Sequence, residues 1–185
     1  ISCTLPSTRP FILSMLFRET VSDQLLGILN ACMQSPSFDG FALARGPDLK
    51  EFWHHGPVID ETYDSRIMEN IYVNEIDKFN NVFDELFNEM NTLGAQLLSS
   101  ISLTLGLHKD FFHTSTIKGN SLLRLIHYPP SNNENIYRAR EHADINLITL
   151  LIGANEPGLE VKDKLGNWIP VSSSYEDIVC NIGDM

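Results

Sequence analysis

Residues 145–152, Ile-Asn-Leu-Ile-Thr-Leu-Leu-Ile, form a short run rich in branched apolar residues and closed by Gly153. Such a run predicts a largely buried β-strand rather than a helix. Immediately before it stands His142-Ala143-Asp144. If the strand extends back through this tripeptide, alternation puts the imidazole and the carboxylate on one face. On a helix the same two side chains would lie about 200° apart around the axis and could not share a ligand.

Imidazole and carboxylate at neighbouring same-face positions supply two ligands of the facial triad found in non-haem Fe(II) oxygenases, which a distant second histidine completes. A His-x-Asp tripeptide alone is weak support. With 6 histidines and 24 acidic residues in the chain, one can arise by chance and mark nothing more than a strand entrance at the surface.

The remaining composition narrows the choice. A chain of 185 residues that is 43% hydrophobic and 20% charged has enough apolar material for one globular core. The 13 basic residues set against 24 acidic ones give a net charge of −11, which opposes binding to nucleic acid or to an anionic bilayer. No apolar stretch has the length of a membrane span, so no membrane partner is expected. Cys3, Cys32 and Cys180 are widely spaced and contain no Cys-x-x-Cys, which suits a reducing, cytoplasmic protein and implies neither a disulfide framework nor a zinc knuckle. The start at Ile1 and the end at Asn181-Ile182-Gly183-Asp184-Met185 lead us to expect a piece of a longer protein.

Residues 1–39 stay unassigned. Phe11 to Phe17 reads as a short strand or helix, and Ser22 with Leu25, Leu26, Ile28 and Leu29 reads as a capped helix. From about residue 64 to 105 apolar side chains recur at helical spacing, through Phe79, Phe83, Leu86, Met90, Leu93, Leu97, Ile101 and Leu105. This predicts a long amphipathic helix, as one piece or two, ended by Gly106. Residues 121–128 predict a strand stopped by Pro129-Pro130. Alternation then places Arg124 and Tyr128 on one face, either as an edge strand with a solvent-facing arginine or as a pocket wall with an anion-binding guanidinium and a phenol donor. The segments 158–161 and 168–171 predict a hairpin about a Gly-Asn turn, and 178–182 a last strand. A long helix followed by short, regularly spaced strands is the order of a helix packed on a jelly roll or barrel.

Four blocks in this order resemble the isopenicillin N synthase-like 2-oxoglutarate and Fe(II)-dependent dioxygenases. They are Asp48-Leu49-Lys50-Glu51-Phe52-Trp53-His54; Leu123-Arg124-Leu125-Ile126-His127-Tyr128-Pro129-Pro130; residues 142–151 from His142-Ala143-Asp144 to Leu151; and Gly158-Leu159-Glu160-Val161 with Asn181-Ile182-Gly183-Asp184-Met185. The resemblance covers about residues 48–185. It implies a mainly β fold with α, a double-stranded β-helix (jelly roll) packed on the long helix of about 64–105, with strands over about 121–185. The domain would be 40–185, partial and incomplete at its C-terminal side. His142 and Asp144 would be metal ligands, Tyr128 would help hold the cosubstrate or substrate carboxylate, and Arg124 would line the substrate pocket. Fe(II) and the cosubstrate 2-oxoglutarate would oxidise a small-molecule substrate with O2.

The resemblance also fixes what to look for next. The family's second metal-binding histidine and its Arg-x-Ser motif follow Gly-Asp-Met, beyond Met185. His54, His55, His108, His113 and His127 are the candidate replacements. His127 faces away from Tyr128 by strand parity, and the others lie in segments with no reason to approach the pair. The competing expectation is a non-catalytic jelly-roll relative that binds a partner or ligand; a zinc hydrolase using His142 and Asp144 ranks last, because it lacks the same ligand.

Overall fold

The computed structural model of the chain describes residues 2–3, 11–12, 42–43, 50–129, 138–152, 158–172 and 177–184. The helix expected at Ser22 therefore lies outside the described residues, as does most of the segment 11–17. The chain divides into two compact units, one of Ile1–Gln24, Pro36–Trp53 and Leu125–Met185, the other of Leu25–Ser35 and His54–Arg124.

The second unit is built on helix α1, Phe79–Thr104. Its inward stripe of Phe79, Val82, Phe83, Leu86, Phe87 and Leu98 is buried, and the rings of Phe79 and Phe83 lie 4.4 Å apart. Each such side chain removed from water contributes about 1.5–3 kcal/mol. His55 belongs to the same core at 1% exposure, with its ring 5.7 Å from Phe83 and its Nε2 2.8 Å from Asp84 Oδ1.

The helix is shorter than the apolar spacing predicts. It starts at Phe79, and residues 64–78 run as turns, bends and irregular chain. The reason is a competing set of hydrogen bonds. The Asn80 side chain accepts from Val73 N and donates to Val73 O, both at 2.9 Å, which takes the backbone groups a continuing helix would need. Lys78, just before the helix, is left-handed at φ 60°, which no helical turn can incorporate. At the other end the prediction holds. Gly106, at φ 74°, donates to Leu103 O while Leu107 N donates to Ser102 O, a Schellman closure in the position expected for a glycine. A single turn, α2, follows at His113–Thr116.

The strands are short: β1 Ser2–Cys3, β2 Phe11–Ile12, β3 Ala42–Leu43, β4 Glu51–His55, β5 Leu123–His127, β6 Ile148–Ile152, β7 Leu159–Lys162, β8 Trp168–Pro170 and β9 Ile178–Ile182. They form sheets in the orders β2-β5-β4-β3, β1-β7-β8 and β6-β9. The expected hairpin is β7–β8, with Lys162 opposite Trp168. Its turn is set by Asp163, whose Oδ1 accepts from the backbone N–H groups of Leu165 and Asn167, and by Gly166 at φ 90°.

β6 and β9 run antiparallel, and their register sets Thr149 opposite Asn181 and Ile152 opposite Ile178. Here too a predicted boundary moves. β6 begins at Ile148, not at Ile145, so His142 and Asp144 precede the strand and strand alternation does not govern them. The segment is held by other means: Asp184 N donates to Asp144 O at 2.9 Å and Gly183 N to Leu147 O at 3.0 Å. Among the described residues no helix is long and apolar enough to cross a membrane.

Candidate metal centre

The irregular segment ahead of β6 brings His142 and Asp144 together, with Nε2 3.5 Å from Oδ1. The tautomer follows from the other ring nitrogen. His142 Nδ1 lies 2.6 Å from the carbonyl oxygen of Arg140, which can only accept, so Nδ1 carries the proton. Nε2 then faces a carboxylate oxygen, and an imidazole anchored through its other nitrogen beside a carboxylate is an arrangement that suits a metal.

Asp144 is held from behind. Its Oδ2 accepts from Thr149 Oγ1 and from Asn181 Nδ2, each at 2.8 Å. Thr149 Oγ1 in turn accepts from Asn146 Nδ2 at 2.8 Å. Partial burial by itself would raise the Asp144 carboxyl, but the bonds from Thr149 and Asn181 and the neighbouring His142 together hold it below the ordinary carboxylate value, so it is ionised at neutral pH. Gly183 permits the packing behind this network. A Cβ there would lie 1.9 Å from the backbone oxygen of Asn146, closer than any side chain can come.

Tyr128 follows β5 directly and is 4% exposed. Arg138, at 3% exposure, donates from Nη1 to the carbonyl of Pro129, which ties the chain beside Tyr128 to the segment leading to His142. Arg124 is exposed on β5, where its Nε donates to His54 Nε2 at 2.8 Å. Burial and the adjacent guanidinium hold the His54 imidazole below its ordinary value. Alternation along β5 does not reach Tyr128, because the strand ends at His127.

Three further histidines have partners of their own. His55 bonds Asp84, His127 Nδ1 lies 2.8 Å from Glu51 Oε2, and His108 Nδ1 lies 3.6 Å from Asp110 Oδ2. Among the described residues no three histidine, cysteine, aspartate or glutamate side chains cluster as a metal would require. His142 and Asp144 thus stand together as a pair of candidate ligands. Thr149, Asn181, Asn146 and Gly183 were not anticipated. Polar Asn146 and Thr149 inside an apolar run are the hint the sequence offers.

Residues 119–185 match the 2OG-Fe(II) oxygenase superfamily. Proline hydroxylase buaE of Petromyces alliaceus is 34% identical over 146 residues, 74% of this chain and 44% of that protein. The 2-oxoglutarate-dependent dioxygenase gloF of Glarea lozoyensis is 34% identical over 152 residues, 79% of this chain and 44% of that protein. A crystal structure of a 2OG-Fe(II) oxygenase family protein from Caulobacter crescentus superposes with a TM-score of 0.78 at 34% identity, covering 94% of this chain and 64% of that one. The chain belongs to this family of 2-oxoglutarate/Fe(II) oxygenases.

A more distant structure shows how far the fold is shared. A Neurospora crassa protein crystallised with α-ketoglutarate and thymine gives a TM-score of 0.78 at 21% identity, over 94% of this chain and 63% of its own. The chain spans about half the length of the curated relatives it matches, 44% of each of the two proteins above. Those relatives are named as a hydroxylase and a dioxygenase, and nothing in them favours the non-catalytic alternative.

Proposed function

We propose that the chain carries part of the active site of a non-haem Fe(II), 2-oxoglutarate-dependent oxygenase that oxidises a small organic substrate with O2. His142 Nε2 and Asp144 Oδ1 are two of its iron ligands. The supporting observation is that His142 Nε2 and Asp144 Oδ1 lie 3.5 Å apart, one on an imidazole anchored through Nδ1 to the Arg140 carbonyl and one on an ionised carboxylate. This donor set suits Fe(II) with positions left open for a cosubstrate and oxygen. A third ligand and a partner for the far carboxylate of 2-oxoglutarate are then left to residues outside those described.

On this reading residues 40–185 are one partial domain that comprises jelly roll and α1, and 1–39 an N-terminal segment. When bound, the iron with 2-oxoglutarate supplies the oxidising power that no side chain possesses. The chain supplies placement. The Arg140 carbonyl orients the His142 ring, and the buried Tyr128 phenol donates to a cosubstrate carboxylate. A reducing cytoplasm keeps the metal as Fe(II).

The test is 2-oxoglutarate turnover by the full-length protein, followed as CO2 release with Fe(II) present or chelated. Turnover should require Fe(II) and vanish in Asp144→Ala. An Asp144→Ala protein that bound iron and turned over 2-oxoglutarate like the wild type would sink the assignment.

A further inference from the structure

We propose that Thr149 and Asn181 are a positioning pair that restricts Asp144 to binding metal through one oxygen, which keeps open a coordination position that a chelating carboxylate would occupy. The inference rests on the reading of His142 and Asp144 as metal ligands. Thr149 and Asn181 are direct cross-strand partners on β6 and β9, and both reach Asp144 Oδ2 at 2.8 Å. The directions of these bonds are fixed by chemistry. The Asn181 amide nitrogen can only donate. Thr149 Oγ1 already accepts from the Asn146 amide, so its own hydrogen is turned toward Asp144.

Oδ2 thus has both lone pairs engaged, whereas Oδ1 faces His142. A metal drawing on both oxygens would have to displace the Thr149 hydroxyl or the Asn181 amide, and these are bonds to a charged acceptor, the stronger kind. A half-buried donor would be stranded as a result. Asn146 is in turn backed by Gly183, where no side chain fits, so the hydroxyl's orientation does not depend on a mobile surface group.

The experiment is Co(II) titration of the full-length protein, reading affinity and the intensity of the cobalt ligand-field bands, for wild type, Thr149→Val, Thr149→Ser, Asn181→Leu and Asp144→Ala. Valine keeps the β-branched shape and the strand preference while deleting the hydroxyl. Thr149→Val and Asn181→Leu should each weaken Co(II) by about 10- to 100-fold, and Thr149→Ser should stay within about 2-fold of wild type. The bands should lose intensity in Thr149→Val as the freed oxygen raises the coordination number, a change that a purely structural role would not produce. Amide-exchange protection of β6 and β9 without metal should match wild type in both threonine variants. Unchanged affinity and spectrum in Thr149→Val, with binding lost in Asp144→Ala, would overturn the positioning role alone. Unchanged affinity in Asp144→Ala would overturn the metal site itself.

Discussion

The core around α1 and the site ahead of β6 are held by different physics. In the first, Phe79, Phe83, Leu86 and Phe87 are buried by a non-directional force that tolerates rearrangement and scales with area. In the second, Asp144 is fixed by two hydrogen bonds, one relayed from Asn146, and by a glycine with no room for a methyl group. Damage to the core should therefore appear as lost stability, and damage to the site as lost chemistry in a protein that still folds.

The sharpest test of that contrast is Asp144→Ala. It should reduce metal affinity by more than the roughly 100-fold that loss of a supporting residue can cause, while the stranded Thr149 and Asn181 donors cost only about 1–3 kcal/mol of stability. Phe83→Ala should do the reverse, losing about 3–5 kcal/mol in urea unfolding with metal affinity per folded molecule retained. A Phe83→Ala protein that lost metal but not stability would break the comparison. Gly183→Ala lies between the two. The clash with the Asn146 backbone should cost about 1–3 kcal/mol and also weaken metal binding, because Asn146 cannot move without releasing the Thr149 hydroxyl.

The smallest effect concerns pH. Backbone and side-chain bonds from Asn167 hold the exposed Asp163 carboxyl below its ordinary value. Its folded pKa being the lower one, its contribution to the β7–β8 turn is fully present above about pH 4 and is lost as the pH falls through the folded value. Melting temperatures of wild type and Asp163→Asn should converge as the pH falls through that window. A gap that persisted into acid would contradict the sign.

The same contrast explains what could be read from the sequence. The inner stripe of α1 is periodic, and burial follows periodicity, so the helix and its glycine stop were legible. Its start was not, because the apolar spacing continues back through Ile67 and Ile71 while the Asn80 side chain, seven residues from Val73, ends the pattern by capturing that residue's backbone. His142 and Asp144 were recognisable by residue type and family order. The predicted cause of their convergence, strand alternation, was wrong, since the irregular segment ahead of β6 brings them together. Asn181 was beyond reach for a simpler reason: it meets Asp144 across 37 positions of sequence, and no local pattern encodes such a contact.

The Thr149–Asn181 pairing has a consequence for folding fidelity. A strand that slips by one residue turns every side chain to the opposite face, and an apolar pair such as β6 and β9 can absorb such an error at little energetic cost. Here a slipped register would take both donors away from Asp144 at once. On the proposed metal reading, uptake of the ion would then discriminate the correctly registered chain from a misaligned one, and the ion would act as an inspector of the fold.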